Sequence, residues 1–314
     1  MSMAKDKLKV AVLMGGISQE RDISLLSGRM ITRALERGGA DVVPFDITPD
    51  NLSILDDPDI DVFFPALHGE FGEDGRPQEI LEERGLCYAG CGPASSRLAF
   101  DKLACKEALK ATNVLLPSDI CVKDGDEISD LAERISQLGD KFVVKPVANG
   151  SSFGVRILAE AQMAAAIAIE TCSEFGDCMV EQFIAGKEIT VGILDGRALP
   201  IIEIRSKTQF YDYEAKYEDD STEFLFDTIA DNGLTSRIQA DAVECFKTIG
   251  CRHLSRVDMI LNEEGQPYFL EINTLPGFTD HSLLPMAAAK IGISAEKLCM
   301  DIVQAAIRDH QKKG

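Results

Sequence analysis

No apolar run in this 314-residue chain approaches the length needed to cross a bilayer. Its opening, residues 1–9, is lysine-rich with no apolar stretch behind it, so no secretory signal is expected. Cys-x-x-Cys pairs are missing among the nine cysteines; Cys87 and Cys91 come closest, and no histidine cluster accompanies them. Most of the cysteines lie inside apolar runs, which argues for reduced core thiols in a cytoplasmic protein rather than disulfides or zinc ligands. Positive charge is also in deficit. A formal net charge of −20 argues against nucleic-acid or anionic-membrane partners. Any polyanionic substrate must therefore meet cations gathered locally, which draws attention to individual lysines. Neither the Gly-x-Gly-x-x-Gly fingerprint of nicotinamide enzymes nor the Gly-Lys-Ser/Thr order of a Walker loop occurs, which weakens both readings. Internal repeats and low-complexity tracts are absent too.

The remainder is an ordinary globular composition, 45% hydrophobic, in a chain long enough for two or three domains. Residues 8–14 read as a buried strand, Gly15-Gly16 as the turn after it, and about 20–37 as a helix. Further strands at 41–47 and 61–67 and a helix near 78–84 predict a Rossmann-like domain over 1–95. Its ligand-binding edge would lie beyond the strand ends, at Gly15, Gly16, His68 and Gly69. A helix over 96–111 leads into a second unit, 96–186, with strands near 118–122, 141–145, 155–159 and 177–183 and helices over 126–137 and 159–171. A third unit, 187–314, offers strands at 189–194 and 198–204, a long polar segment at 206–223, a helix over 235–249, a hairpin and two terminal helices. The predicted class is α/β.

The hairpin carries the most chemistry. A tight turn at Glu264-Gly265 with Glu263 facing Gln266 sets Asp258 opposite Glu271 and Arg256 opposite Asn273. Residues two apart on a strand share a face, so all four polar groups converge. Opposed carboxylates destabilise a ladder unless a cation lies between them. Two carboxylates and an amide oxygen are hard ligands suited to Mg²⁺ and substrate phosphates, although a solvated polar face is the plainer alternative. Lys145 ends an apolar run and precedes the small-residue loop 150–154, a combination that either cradles phosphate or is simply a turn. Lys102 opens a helix and reads either as a surface lysine or as a second phosphate cation. Residues 181–184, with Glu188 soon after, read as a linker or as an apolar wall for a purine, with a carboxylate for ribose hydroxyls. The segment 206–223 is too long for a plain loop, and its tyrosines at 211, 213 and 217 argue against simple disorder. Read as a lid, it delivers Lys216 and Tyr217 on closure. Gly277 permits close approach to a ligand, and Ser282 at a helix start either caps that helix or leaves its N-terminus to a carboxylate.

Taken together, these motifs resemble the D-alanine–D-alanine ligases of the ATP-grasp superfamily nearly end to end. The likeness rests on 15–21, His68-Gly69-Glu70, Gly72 to Gly75, Asp101-Lys102, Lys145-Pro146, Gly150 to Ser152, Tyr211 to Tyr217, Arg256 to Asp258, and 271–283. It implies a three-domain ATP-grasp architecture with ATP held between the second and third domains. It further implies that Lys102, Lys145, Ser151, Ser152 and Lys216 bind phosphates, and that Glu181, Phe183, Ile184 and Glu188 hold adenine and ribose. Asp258, Glu271 and Asn273 would bind two Mg²⁺, which Mn²⁺ could replace. Glu20 and His68 would receive the first D-alanine, and Ser282 and Leu283 the second. Glu20, Ser151 and Tyr217 would form a latch, and Arg256 and Gly277 would stabilise an oxyanion. The implied reaction makes D-alanyl-D-alanine for peptidoglycan precursors through an acyl phosphate, in a cytoplasmic homodimer. Rivals are a ligase using D-lactate or D-serine as the second substrate and a nucleotide-binding protein without turnover. Tyrosine at the Tyr217 position favours the dipeptide.

Overall fold

Three β-sheets carry the chain in the computed structural model, which describes residues 7–313 apart from 124, 151–152 and 207–221. In the first sheet, β1 (Lys9–Gly15) lies between β2 (Asp41–Ile47) and β3 (Val62–Pro65), all parallel. Val10 to Leu13 are wholly buried, as a central strand with helices on both faces requires. The crossover helix Arg21–Arg37 buries Ser24, Ser27, Gly28, Ile31 and Leu35, the spacing of one helical face.

The second sheet is antiparallel, formed by β4 (Asp119–Val122), β5 (Phe142–Pro146), β6 (Arg156–Leu158) and β7 (Cys178–Gln182) in the order β4-β7-β5-β6. Helices Ile128–Ser136 and Ala161–Phe175 cover one face, packing on Val122, Phe142, Val144 and Val180. Strand alternation turns Val143, Lys145 and Glu181 to the opposite face. The third sheet holds β8 (Lys187–Leu194), β9 (Arg197–Ala198), β10 (Ile202–Arg205), β11 (Glu223–Phe226), β12 (Leu254–Leu261) and β13 (Pro267–Asn273). Its order is β11-β10-β8-β12-β13, with β9 on β8. Helix Asn232–Thr248 shares a core with Ile189, Val191, Val257 and Ile272 of this sheet. The last two helices, Leu283–Lys290 and Ala295–Lys313, share another core with β1, β3 and helix Arg21–Arg37. The C-terminus is thereby packed against the N-terminal sheet.

Three expectations need correction. The single helix over 96–111 is two helices, Pro93–Phe100 and Lys102–Leu109. Asp101 between them is extended (φ −84°, ψ 102°), and its carboxylate accepts from the Ala104 N–H at 2.9 Å. An aspartate N-cap interrupts what apolar spacing reads as continuous. The strand over 198–204 is likewise broken into β9 and β10, and β11 is an additional strand. The hairpin brings Asp258 opposite Glu271 and Arg256 opposite Asn273 as expected, but by another route. Asn262 rather than Glu263 faces Gln266, so the turn is one residue longer. A β-bulge between Asp258 and Met259 then absorbs Leu270 and restores the pairing.

Candidate active site

A cavity of about 530 Å³ opens between the second and third sheets, lined by Val143, Lys145 and Glu181 on one side and Glu188, Ile204 and Asp258 on the other. A smaller one of about 80 Å³ adjoins it, lined among others by Glu20, His68, Arg256, Gly277, Ser282 and Leu283. Lys102, Asn149, Gly150 and Glu271 border both. The first space has the size and apolar walls of a nucleotide site, and the second suits a small polar molecule.

The large cavity is ringed by cations despite the acidic chain. Lys145 Nζ lies 2.5 Å from Glu181 Oε2. Lys106 Nζ meets Glu181 Oε1 at 2.6 Å, Asp119 at 2.6 Å and the Pro117 carbonyl at 2.8 Å. Burial alone would raise the Glu181 carboxyl, but Lys145 and Lys106 together hold it below the usual carboxylate range. Glu181 therefore spends its oxygens on two lysines rather than standing open for a ribose. Lys106 escaped the sequence reading. Its signal was the spacing of four from Lys102, which stacks both lysines on one helix face. Lys102 donates to the Asn149 carbonyl at 2.6 Å and stands 3.7 Å from Glu271. Burial pushes its ammonium below the usual lysine value. Phe183 and Ile184 line the cavity, but the Phe183 N–H already donates to the Lys141 carbonyl at 3.0 Å. A purine edge would have to use the Phe183 carbonyl and the Ile184 N–H. Glu203, also unforeseen, lines this cavity with Lys187 at 3.0 Å and Arg205 at 2.7 Å.

On the hairpin, Arg256 forks onto Asp258, Nε to Oδ1 at 2.9 Å and Nη2 to Oδ2 at 2.7 Å, and the Thr190 hydroxyl also donates to Oδ1. Asn273 Oδ1 accepts from the Leu275 N–H at 2.9 Å. Among the described residues no group of three His, Cys, Asp or Glu side chains is placed to hold a metal ion. The donor set is instead two carboxylates on paired strands plus one amide oxygen. That fits Mg²⁺, which keeps waters and takes remaining ligands from phosphates.

In the small cavity, Glu20 occupies the N-cap position of helix Arg21–Arg37 and reaches the loop at Gly150. A Cβ on Gly150 would lie 2.7 Å from Glu20 Oε2, so a side chain there would push the carboxylate away. His68 is buried with no partner on Nε2 among the described residues, and burial pushes its ring below the usual imidazole value. Glu73, inside the motif Gly72 to Gly75, accepts from the Gly69 N–H at 2.9 Å. Burial, with Glu20 close by, raises its carboxyl to about 8. Ser282 takes the N-cap position of helix Leu283–Lys290 without a capping bond from its side chain. Its Oγ accepts from the Thr279 N–H at 2.8 Å instead, which leaves the first helical N–H groups without that cap. Gly277 lies close enough that a Cβ would sit 2.8 Å from this Oγ. Ser151, Ser152, Lys216, Tyr217 and most of the proposed lid lie outside the described residues.

Comparison with known proteins points to one family. A family model for the D-Ala–D-Ala ligase C-terminus matches residues 111–304. The chain is 41% identical over 298 residues to a D-alanine–D-alanine ligase of Laribacter hongkongensis, covering 95% of this chain and 96% of that protein. It is similarly 41% identical to the enzyme of Syntrophotalea carbinolica, with the same coverage. A solved D-alanine–D-alanine ligase of Bacillus anthracis complexed with ATP superposes with a TM-score of 0.84 at 32% identity, over 98% of this chain and 100% of that one. A D-Ala:D-Ser ligase of Enterococcus faecalis has a TM-score of 0.82 at 29% identity, over 96% of this chain and 100% of the other.

Proposed function

Because the chain belongs to the D-alanine–D-alanine ligase family, with the mixed α/β ATP-grasp fold of its solved members, we propose that it joins two D-alanines to D-alanyl-D-alanine with ATP as co-substrate. The observation that carries this reading is the pair of adjoining cavities, one nucleotide-sized and one small and polar, bordered in common by Lys102 and Glu271. Three domains, 1–95, 96–186 and 187–314, assemble the site. The first brings Glu20 and His68, the second Lys102, Lys145 and Glu181, and the third Arg256, Asp258, Glu271 and Gly277.

In the first step a carboxylate oxygen of one D-alanine attacks the γ-phosphorus, the bond to the ADP oxygen breaks, and an acyl phosphate forms. In the second, the amine nitrogen of the other D-alanine attacks the acyl carbon, phosphate leaves, and the amine gives up a proton. Neither step needs a protein nucleophile; positioning and charge neutralisation carry the catalysis. Lys102 and Lys145 neutralise phosphate oxygens from one side, with the Ser151-Ser152 loop and Lys216 covering them. Glu20 pairs with the ammonium of the first D-alanine. The helix beginning at Leu283 offers its N–H groups to the carboxylate of the second. Arg256 and the Gly277 N–H face the oxyanion of the tetrahedral intermediate, a contact worth roughly 3–4 kcal/mol per donor. Asp258, Glu271 and Asn273 would hold magnesium, as two ions for which Mn²⁺ could substitute. When bound, the metal would supply charge neutralisation to the transferring phosphoryl group. Closure of 206–223, with Tyr217 latching to Ser151 and Glu20, keeps water from the acyl phosphate. The family setting supports a cytoplasmic homodimer supplying peptidoglycan precursors, and no described helix is long and apolar enough to cross a membrane.

The test is phosphate release with ATP, magnesium and D-alanine alone, with the product identified. Phosphate and D-alanyl-D-alanine appearing together in equal amounts is the expected result. If product forms only after D-lactate or D-serine is added, the dipeptide reading is wrong. An absence of phosphate release with any D-amino or D-hydroxy acid would leave a nucleotide-binding protein without turnover.

A further inference from the structure

His253 has φ at +63°. A residue with a Cβ adopts that region only when its surroundings over-determine it, at roughly 1–3 kcal/mol. Here they do. The Gly90 N–H donates to His253 Nδ1 at 3.0 Å, and the Gly90 carbonyl accepts from Arg252 Nε at 2.8 Å. Two consecutive residues thus grip both polar backbone groups of a third. Since Nδ1 is an acceptor, the ring proton sits on Nε2, which donates to Asp309 of the last helix at 3.2 Å. The His253 carbonyl accepts from the Asp195 N–H at 2.7 Å. Burial pushes the imidazole down to about 4, which keeps Nδ1 an acceptor at neutral pH. The Arg252 guanidinium also lies 4.6 Å from the centre of the Tyr88 ring.

The grip joins the two halves of the small cavity. Tyr88 forms a bridge beside β3 with Phe63, in the sheet whose connections deliver Glu20 and His68. Arg252 and His253 lead into β12, three residues ahead of Arg256. Leu275, from the segment that carries Gly277, lies against Gly90. The larger contact between the N-terminal sheet and the C-terminal helices is apolar, and apolar burial is non-directional. Hydrogen bonds to one residue are directional.

Given the ligase activity proposed above, we propose that the Arg252-His253 clasp on Gly90 is a positioning device for the D-alanine pocket, setting the half with Glu20 and His68 in register with the half holding Arg256 and Gly277. His253 is a positioning residue and touches no substrate. Loosening the clasp lowers the fraction of molecules with a competent pocket and raises KM for D-alanine, while the nucleotide cavity, built from the other two sheets, is spared.

Two variants test this. His253→Gly suits the left-handed backbone, so it folds, but it removes both ring hydrogen bonds. His253→Asn tolerates that backbone and returns an acceptor near the Nδ1 position. In the glycine variant KM for D-alanine should rise roughly five- to tenfold, the scale of one or two neutral hydrogen bonds, with KM for ATP unchanged. Hydrogen exchange at the Gly90 amide should quicken, and the asparagine variant should reverse both changes. Unchanged exchange at Gly90, an unchanged KM for D-alanine, equal rises in both KM values, or no rescue by asparagine would each overturn the proposal. A wild-type protein that does not turn over D-alanine would sink the ligase reading and this proposal with it. That outcome is distinct from an active wild type with an indifferent variant.

Discussion

Lys106 shows how a buried charge outside the cavity lining can govern the charges within it. Its ammonium is almost wholly enclosed and shared between Asp119 and Glu181, and Glu181 also holds Lys145. With two lysines and two carboxylates the cluster is neutral, so Lys145 can turn its charge towards phosphate without stranding Glu181. Lys106→Met removes that option. Breaking one partner from a buried ion pair costs roughly 3–5 kcal/mol of stability. In addition Glu181 then depends on Lys145 alone, so KM for ATP should rise more than KM for D-alanine. Denaturant unfolding and parallel ATP and D-alanine titrations would check both. The pH dependence follows from the depressed Glu181 carboxyl. Its stabilisation is present above the ordinary value of 4.5 and is lost as pH falls through the lower folded value. In Lys106→Met that loss should begin at a higher pH. Equal KM values for the variant and wild type would show that Lys106 is merely a core residue.

At the scale of elements, the β12–β13 hairpin shows both how far sequence reasoning reaches and where it stops. Alternation and a glycine-containing turn were enough to place Asp258 opposite Glu271, because pairing at the site depends only on the summed offset between turn and site. Two irregularities hide inside that sum. A turn lengthened by one residue and a bulge at Leu270 cancel, and neither leaves a periodicity signal, since a bulge is an interruption of the period. Strict alternation would have sent Phe269 to the cavity and Leu270 to the core. The structure buries Phe269 with Ile272 in the core and turns both Leu270 and Glu271 to the large cavity. An apolar wall and the carboxylate proposed to hold magnesium are thus neighbours on one face. Leu270→Ala should consequently weaken nucleotide binding by about 1–2 kcal/mol, the worth of the apolar surface lost, with KM for D-alanine unchanged. Calorimetry with a nucleotide analogue would check it, and undiminished affinity would remove Leu270 from the adenine wall. The helix broken at Asp101 is a similar case. Lys102 was legible as a cation at a helix start, but the capping bond that starts a second helix there competes with continuous helical spacing and wins locally. Lys106 left only its spacing of four from Lys102, and Glu203 only its neighbour Arg205; their other partners, Glu181 and Lys187, lie on other strands, and no local pattern records such a pairing.

For the whole molecule, the decisive fact is that the large cavity has one wall on each of two sheets and its cations on an otherwise acidic chain. The second sheet contributes Lys145 and Glu181, and the third contributes Asp258 and Glu271. Nucleotide alone would meet lysines from the first wall and repulsion from the carboxylates of the second. On the proposed reading magnesium would turn those carboxylates from opponents into ligands, so the metal should couple the two walls through the phosphates. A ligand that binds only the folded state stabilises it by mass action, about 2.7 kcal/mol at a hundred times its Kd. ADP with magnesium should therefore raise the thermal midpoint by several degrees, and ADP with excess chelator should raise it much less. Magnesium alone should do little, because two carboxylates already paired with Arg256 and Lys102 make a weak site without phosphate oxygens. Asp258→Asn should abolish the difference between ADP with and without magnesium while keeping the shift due to nucleotide alone. An equal thermal shift with and without the metal in the unaltered protein would mean that the hairpin carboxylates do not reach the phosphates through magnesium.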